Sequence, residues 1–353
     1  MNRRAFLQAT AMAGAAAALA ACGHERTPEV IDTAPASILP SPTSEPAPLP
    51  TPSPTPAPER STVYLIRTDD RVAGTRQAFE MLSPDLAGKQ VFIKPNFNSA
   101  DPPPGSTDPG MLAEAIRYAR DSGAAQVRMG DRSGMGVTSR VMDALGITAL
   151  ADELDAELMD FSRFPAESWE LMRPDEGHWP DGFAVAKPVL DADAVINLCC
   201  LKTHRYGGHF TLSLKNSVGM IADRVPGLPT EFMQQLHASS HQRRMIAEIN
   251  LAYEPAAIVM DGVDAFVQGG PATGTRVHPG VVLAGTDRVA VDAVGVALLR
   301  IHGTTPEVSR GSIFEQEQIA RAVELGLGVP GPERIDLEGD TALAARIMDE
   351  LFN

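Results

Sequence analysis

The sequence predicts an α/β protein, with a mixed or mostly parallel sheet and helices on both faces, carried on a disordered Pro-rich stalk. From about residue 61, short apolar runs of strand length alternate with longer segments of helical periodicity. Just past those runs come Lys, Asp, Asn and His residues, at the edge where open α/β sheets bind ligands. Ahead of residue 61 the chain is Pro, Ser, Thr and Ala with almost no large apolar side chain, a composition that cannot bury a core.

Taken in order, residues 1–22 read as an export signal. Arg3 and Arg4 followed by Ala5-Phe6-Leu7 match a twin-arginine (Tat) signal, and Leu19-Ala20-Ala21-Cys22 matches a lipobox whose cysteine is lipidated. The expected location is the outer face of the cytoplasmic membrane, with the lipid as the only membrane contact. Residues 23–60 form the stalk. At about 3.1 Å per residue in polyproline II, they would reach roughly 100 Å from the membrane. Residues 61–353 then form a single α/β domain, long enough for a sizeable core, with an inserted subdomain expected around 151–190 or 203–255.

Within that domain, β-branched and apolar runs predict strands at 63–67, 90–94, 126–130, 194–200, 256–260 and 281–284. Helical periodicity predicts helices at 71–82, 110–121, 288–301, 314–325 and 342–352. Ser122-Gly123 supplies a C-terminal stop for the second of these, and Asp287 an N-cap for the third.

Charge and cysteine content narrow the function. The formal charge is -15, and becomes about -17 once Arg3 and Arg4 leave with the signal, which disfavours nucleic acid as a partner. Of three cysteines, Cys22 goes to lipid, leaving adjacent Cys199 and Cys200 as buried thiols on a strand. With no C-x-x-C spacing, a protein-ligated iron–sulfur cluster is not expected.

The chemistry-bearing residues lie at five strand ends. Lys94 and Asn96 follow the first run, and Asp131 the second. Asn197, Lys202, Thr203 and His204 belong to the third, Asp261 to the fourth, and Asp287 to the fifth. Lys215 and Asn216 follow in apolar sequence. Lysines beside amide and hydroxyl groups suit a small carboxylate or phosphate. His204 is the acid–base candidate, with Lys202 and Asp261 as its catalytic companions. His237 and His241, four residues apart, suggest one helical face able to hold a divalent metal completed by carboxylates. No Glu sits between them in the metalloprotease arrangement. Asp292 lies in the apolar stretch Val289–Val296 and must find a partner there, a lysine being one option. Gly130–Gly136 and Gln268–Gly274 could wrap an anion with backbone N–H groups or form ordinary turns. No Walker loop, dinucleotide fingerprint or nucleophile-elbow serine is present.

Several blocks recur in fixed order: Lys94-Pro95-Asn96, Thr107-Asp108-Pro109, Gly130-Asp131, and Ile196-Asn197 with Leu201-Lys202-Thr203-His204. They continue with Leu214-Lys215-Asn216 and Gly219, Asp261-Gly262, Gly269-Gly270-Pro271, and Gly285-Thr286-Asp287 ahead of Val289-Ala290-Val291-Asp292. In these blocks the chain resembles the family called domain of unknown function 362, over about residues 88–302. The resemblance singles out His204 and, less so, His237. Many family members carry a ferredoxin-like segment with four-cysteine motifs, which this chain lacks. Two readings stay open: an enzyme that binds a small anionic ligand, with or without a divalent metal, or a non-catalytic, lipid-anchored binding or redox-accessory module. The protein partner of such a module is not specified by the sequence.

Overall fold

A computed structural model describes residues 58–353. The export signal, Cys22 and the Pro-rich run as far as Ala57 lie outside the described residues. In chain order the strands are β1 (Ser61–Arg67), β2 (Gln90–Lys94), β3 (Gln126–Asp131), β4 (Glu157–Asp160), β5 (Trp169–Met172), β6 (Phe183–Ala186), β7 (Ala194–His204), β8 (His209–Thr211), β9 (Pro255–Gly269), β10 (Gly274–Val277), β11 (Val281–Gly285) and β12 (Ile335–Gly339). The helices are α1 (Arg71–Leu82), α2 (Pro109–Asp121), α3 (Thr138–Ala144), α4 (Ile147–Glu153), α5 (Lys187–Leu190), α6 (Ser213–Asn216), α7 (Phe232–Ala238), α8 (Gln242–Ile249), α9 (Arg288–Ile301), α10 (Pro306–Ser309), α11 (Glu317–Glu324) and α12 (Thr341–Phe352).

Ten strands make one mixed, mostly parallel sheet. Its order is β12-β1-β11-β9-β7-β2-β3-β4, with β10 added to β9 and β8 to β7. The pairs running from β9 through β7, β2 and β3 to β4 are parallel, whereas β11 pairs antiparallel with both β1 and β9. From β2 the chain winds outward through α2 to β3 and on to β4. It then returns to lay β7 on the other side of β2. The strand order therefore reverses between β2 and β7, and the crevice beyond their carboxyl ends is the usual ligand position in such sheets.

Apolar residues fill both faces. One face packs Ile93, Met129, Ile196 and Val259 under α1 and α2; the other packs Leu201, Met260 and Leu283 under α9 and α12. A third cluster gathers Phe161, Trp169, Trp179, Phe183, Phe232 and Ile246 over Phe92 and Val195. The two segments expected as alternative insertions thus contribute to one common layer.

Local chemistry sets the helix starts. Asp70, Asp108 and Asp287 each accept two backbone N–H bonds at the first turns of α1, α2 and α9, satisfying donors that have no intrahelical partner. Thr107 ties strand ends together: its Oγ1 accepts from Asn96 N at 2.7 Å and donates to Leu198 O at 3.1 Å. Asp292 finds no lysine. Its carboxylate accepts from Ser213 N and Leu214 N at 2.7 and 3.0 Å and from Ser213 Oγ, so it caps the short helix α6 from a neighbouring element. Burial pushes its carboxyl up to about 7 against those hydrogen bonds.

Candidate functional site

At the β2/β7 reversal a cavity of about 50 Å³ opens to the surface, lined in part by Lys94, Asn96, Asp131, Lys202, His204, Lys215 and Asn216. Seven residues named from the sequence therefore converge on one cleft. Measured against the roughly 10–15 Å³ that a water needs on the same scale, the space holds a few waters or a molecule of a few heavy atoms.

Strand alternation explains how β7 feeds the cleft. Lys202 and His204 are two apart and point to the same side, while Thr203 points away and donates to Phe266 O at 3.1 Å. The β7–β8 hairpin places Thr211 opposite Lys202, and Thr211 also lines the cleft. Lys94 and Asn96 arrive from the end of β2, Asp131 and Arg132 from the end of β3, and Lys215 and Asn216 from α6.

The three lysines are 1 %, 0 % and 8 % exposed at Lys94, Lys202 and Lys215, so their charges are desolvated. Their attachments differ. Lys94 Nζ pairs with Asp131 Oδ1 at 2.8 Å. Asp131 is largely engaged, for it also accepts from Phe97 N at 2.6 Å and from Arg132 N at 2.8 Å. Lys202 Nζ donates to Asn96 Oδ1 at 3.1 Å and to Gly105 O at 2.5 Å. Lys215 makes no hydrogen bond or ion pair among the described residues. Burial lowers it to about 7, with Lys202 and Arg132 adding repulsion. Burial also draws Lys94 and Lys202 below the usual lysine range, with Asp131 opposing the effect at Lys94.

His204 is held neutral at pH 7. Burial and the nearby Lys215 and Lys202 keep its pKa well below the ordinary histidine value. Among the described residues its buried Nδ1 has no hydrogen-bond partner, and neither do Asn98 Nδ2 and Thr211 Oγ1 beside the same cleft. Three unsatisfied polar atoms around one cavity are what a bound polar ligand would satisfy. Gly219 leaves the floor open, since a Cβ there would fall 1.8 Å from Asp131 Oδ1 and 2.9 Å from Lys94 Nζ.

Behind the lysines runs an amide relay. Asn96 Nδ2 donates to Asn216 Oδ1 at 3.0 Å, Asn216 Nδ2 to Asn197 Oδ1 at 2.8 Å, and Asn197 Nδ2 to Tyr253 Oη at 3.1 Å. Each member is satisfied, so the relay fixes the positions of Asn96 and Asn216. Asn197 belongs to this support and does not line the cleft.

Other expected site residues sit elsewhere. Asp261 accepts from Arg71 Nε at 2.8 Å and from Val263 N at 3.0 Å, within a cluster that includes Asp264, Arg276 and His278. It is a buried ion-pair member away from the cleft. Asp287 is committed to its N-cap and to Ser61 Oγ and Val329 N at 2.7 and 2.8 Å. Thr203 is a strand clip. The expected His237/His241 face is absent, because α7 ends at Ala238 and His241 precedes α8. His237 Nδ1 bonds Met233 O, and the His241 ring lies 4.6 Å from His178. Among the described residues no group of three or more His, Cys, Asp and Glu could hold a metal. The cleft itself suits a divalent cation poorly, since its carboxylate, Asp131, is consumed and lysines and Arg132 surround it. Gln268–Gly274 is a turn, with Gly270 N bonded to Thr273 O. The thiols of Cys199 and Cys200 are free and buried, and burial raises both.

Sequence reading missed Arg132, Asn98 and Thr211. Arg132 had a signal, as it follows the strand-end pair Gly130-Asp131. Thr211 had none until the β7–β8 hairpin placed it across from Lys202.

Among known proteins, the chain is 27 % identical over 224 residues to the thylakoid-associated protein sll1697 of Synechocystis sp. (strain ATCC 27184 / PCC 6803 / Kazusa). That match covers 62 % of this chain and 65 % of the relative, just under two thirds of its length. Among solved structures, the lactate racemase apoprotein from Thermoanaerobacterium thermosaccharolyticum aligns with a TM-score of 0.42 and 15 % identity, over 68 % of this chain and 58 % of that one. Residues 91–297, which include every expected residue of the cleft, match the family described as domain of unknown function DUF362, and the chain belongs to that family.

Proposed function

We propose that this protein is an enzyme whose cleft binds a small anion, a carboxylate or phosphate, with His204 as its acid–base group. One observation carries the reading. A chain of net charge -15 buries Lys94, Lys202 and Lys215 around one small cavity whose lining holds a single carboxylate, Asp131, already paired with Lys94. Burying ammonium groups is costly unless something compensates, and an anionic ligand supplies the missing charge. The unpartnered His204 Nδ1, Asn98 Nδ2 and Thr211 Oγ1 offer hydrogen bonds to the same guest. A neutral imidazole with a free nitrogen accepts a proton, which a passive docking patch does not need. The enzyme reading is favoured over the accessory module because the polar groups are dry and convergent.

Export by the Tat route and anchoring through Cys22 belong to the same proposal, resting on the paired Arg3-Arg4 and the lipobox. Among the described residues no helix is long and apolar enough to cross a membrane.

Native mass spectrometry of the full-length protein, folded in its own host, tests the cleft. We expect a retained small anion that is absent from the Lys202→Gln variant. A protein carrying no small anion and showing no mass shift when incubated with oxalate, phosphate or pyruvate would contradict the proposal.

A further inference from the structure

We infer that Lys215 is an amine nucleophile, and that the anion the cleft takes also carries a carbonyl group, as a small 2-oxo acid does, which Lys215 captures as an imine. The inference rests on the anion-binding reading and adds the ligand class and a covalent step.

The three lysines of the cleft differ in how they are held. Lys94 is held by Asp131, and Lys202 by Asn96 and the Gly105 carbonyl. Those two ammonium groups are held in place by protein partners, in positions suited to meet a carboxylate. Lys215 is also buried and lines the cavity, yet among the described residues its nitrogen makes no hydrogen bond or ion pair. A lysine placed only to pair with a ligand carboxylate would gain from a hydrogen-bonding partner to orient it, as the other two have.

The surroundings favour the free amine. Lys202 and Arg132 repel a charge on Lys215, neutral His204 adds none to offset it, and the one carboxylate, Asp131, is bonded to Lys94. Cationic neighbours and burial are the two devices that make a lysine nucleophilic near neutral pH. Space is provided as well. A Cβ on Gly208 would come within 2.5 Å of Lys215 Cε and 3.1 Å of His204 Nδ1, so the lysine end and the imidazole nitrogen share one bare stretch of backbone. His204 is thereby the base placed beside the amine.

The step balances without an outside reagent. The amine lone pair forms the C–N bond while the carbonyl π electrons move to oxygen. The two amine protons pass to that oxygen, with His204 Nδ1 as the relay, and the C–O bond breaks to release water. The product is the imine of Lys215, its carboxylate held by Lys202 and Lys94.

The test traps the imine. Full-length protein is incubated with pyruvate or glyoxylate and cyanoborohydride, then its intact mass is read and the modified peptide sequenced. We expect one adduct per chain, with pyruvate adding the mass of pyruvic acid less one oxygen, located on Lys215. Trapping should rise as pH passes upward through about 7, where the amine loses its proton. In Lys215→Arg the adduct should fall at least about tenfold, and the wild-type chain should bind phosphate and oxalate. Binding of phosphate and oxalate with no adduct, or with adducts only on other lysines, would overturn the imine and leave the anion reading intact. Absence of both binding and adduct would overturn both.

Discussion

Lys215 carries the site's energetic tension. Its folded-state pKa, about 7, lies below the ordinary lysine value of 10.5. The unfolded chain therefore binds a proton between those values that the folded chain does not, and stability rises with pH across that window. Below about pH 7 the full cost of a buried, unpartnered ammonium is present. Lys215→Met removes that cost, so it should stabilise the protein at pH 6 by up to a few kcal/mol. At pH 9 the gain should already be smaller, because the cost fades as pH rises from about 7. Chemical denaturation at the two pH values checks the sign. A variant less stable than wild type at pH 6 would show that Lys215 has a structural partner. The lysines were legible as residues because each sits in apolar sequence next to polar neighbours. That two are tethered and one is free was not legible, since Asp131, Asn96 and Gly105 reach them only through the tertiary fold.

At the level of elements, α6 is the least self-sufficient piece of the site. Four residues cannot hold a helix by themselves, and α6 is fixed by Asp292 of α9, which accepts from its first two N–H groups. Burial raises Asp292 to about 7, above its ordinary 3.8. The folded state thus keeps a proton that the unfolded chain has lost, and the stability from this group declines as pH rises from about 4 to about 7. Asp292→Asn should flatten that decline. It should also weaken anion binding, because α6 carries Lys215 and Asn216. Tm measured from pH 4 to 8, beside an oxalate titration, checks both; an unchanged pH slope would refute the assignment.

Six of the seven strands of five or more residues, and most long helices, were readable from apolar patterning, with boundaries within a few residues except where β7 and β9 run on to His204 and Gly269. The expected helix at 314–325 begins instead with a 3₁₀ turn at Ile313–Glu315 and then α11. Short edge pieces such as β4, β5 and β10 escaped because four residues hold too few alternations to show a period. In β12, by contrast, Ile335-Asp336-Leu337-Glu338 does alternate and a signal was present. The histidine pair misled because four-residue spacing implies one face only while the helix continues, and Ala238 ends α7 between the two.

On the scale of the whole molecule, the sheet reversal between β2 and β7 explains why residues far apart in sequence meet. Lys94, Asp131, Lys202 and Lys215 come from β2, β3, β7 and α6, four separate segments that meet at one crevice. Asp261, expected as a catalytic residue, and Asp287, expected as ligand-binding or as an N-cap, serve an ion pair and the N-cap, because those roles call for the same residue type at a strand end. If the anchor proposal holds, intact mass analysis should find the mature chain starting at an acylated Cys22, and Cys22→Ser should release the protein from membranes. A chain that still begins at Met1 without lipid would contradict it.

The central claim is that the lysine-lined cleft is an anion site, and titration calorimetry of the full-length protein with oxalate at low salt measures it most directly. The account predicts one site per chain, with affinity falling about tenfold or more in Lys202→Gln, as expected for loss of a charge-assisted hydrogen bond. Binding should also weaken as pH rises past about 7 and Lys215 loses its charge. Absence of binding, or binding equal in wild type and Lys202→Gln, would contradict it.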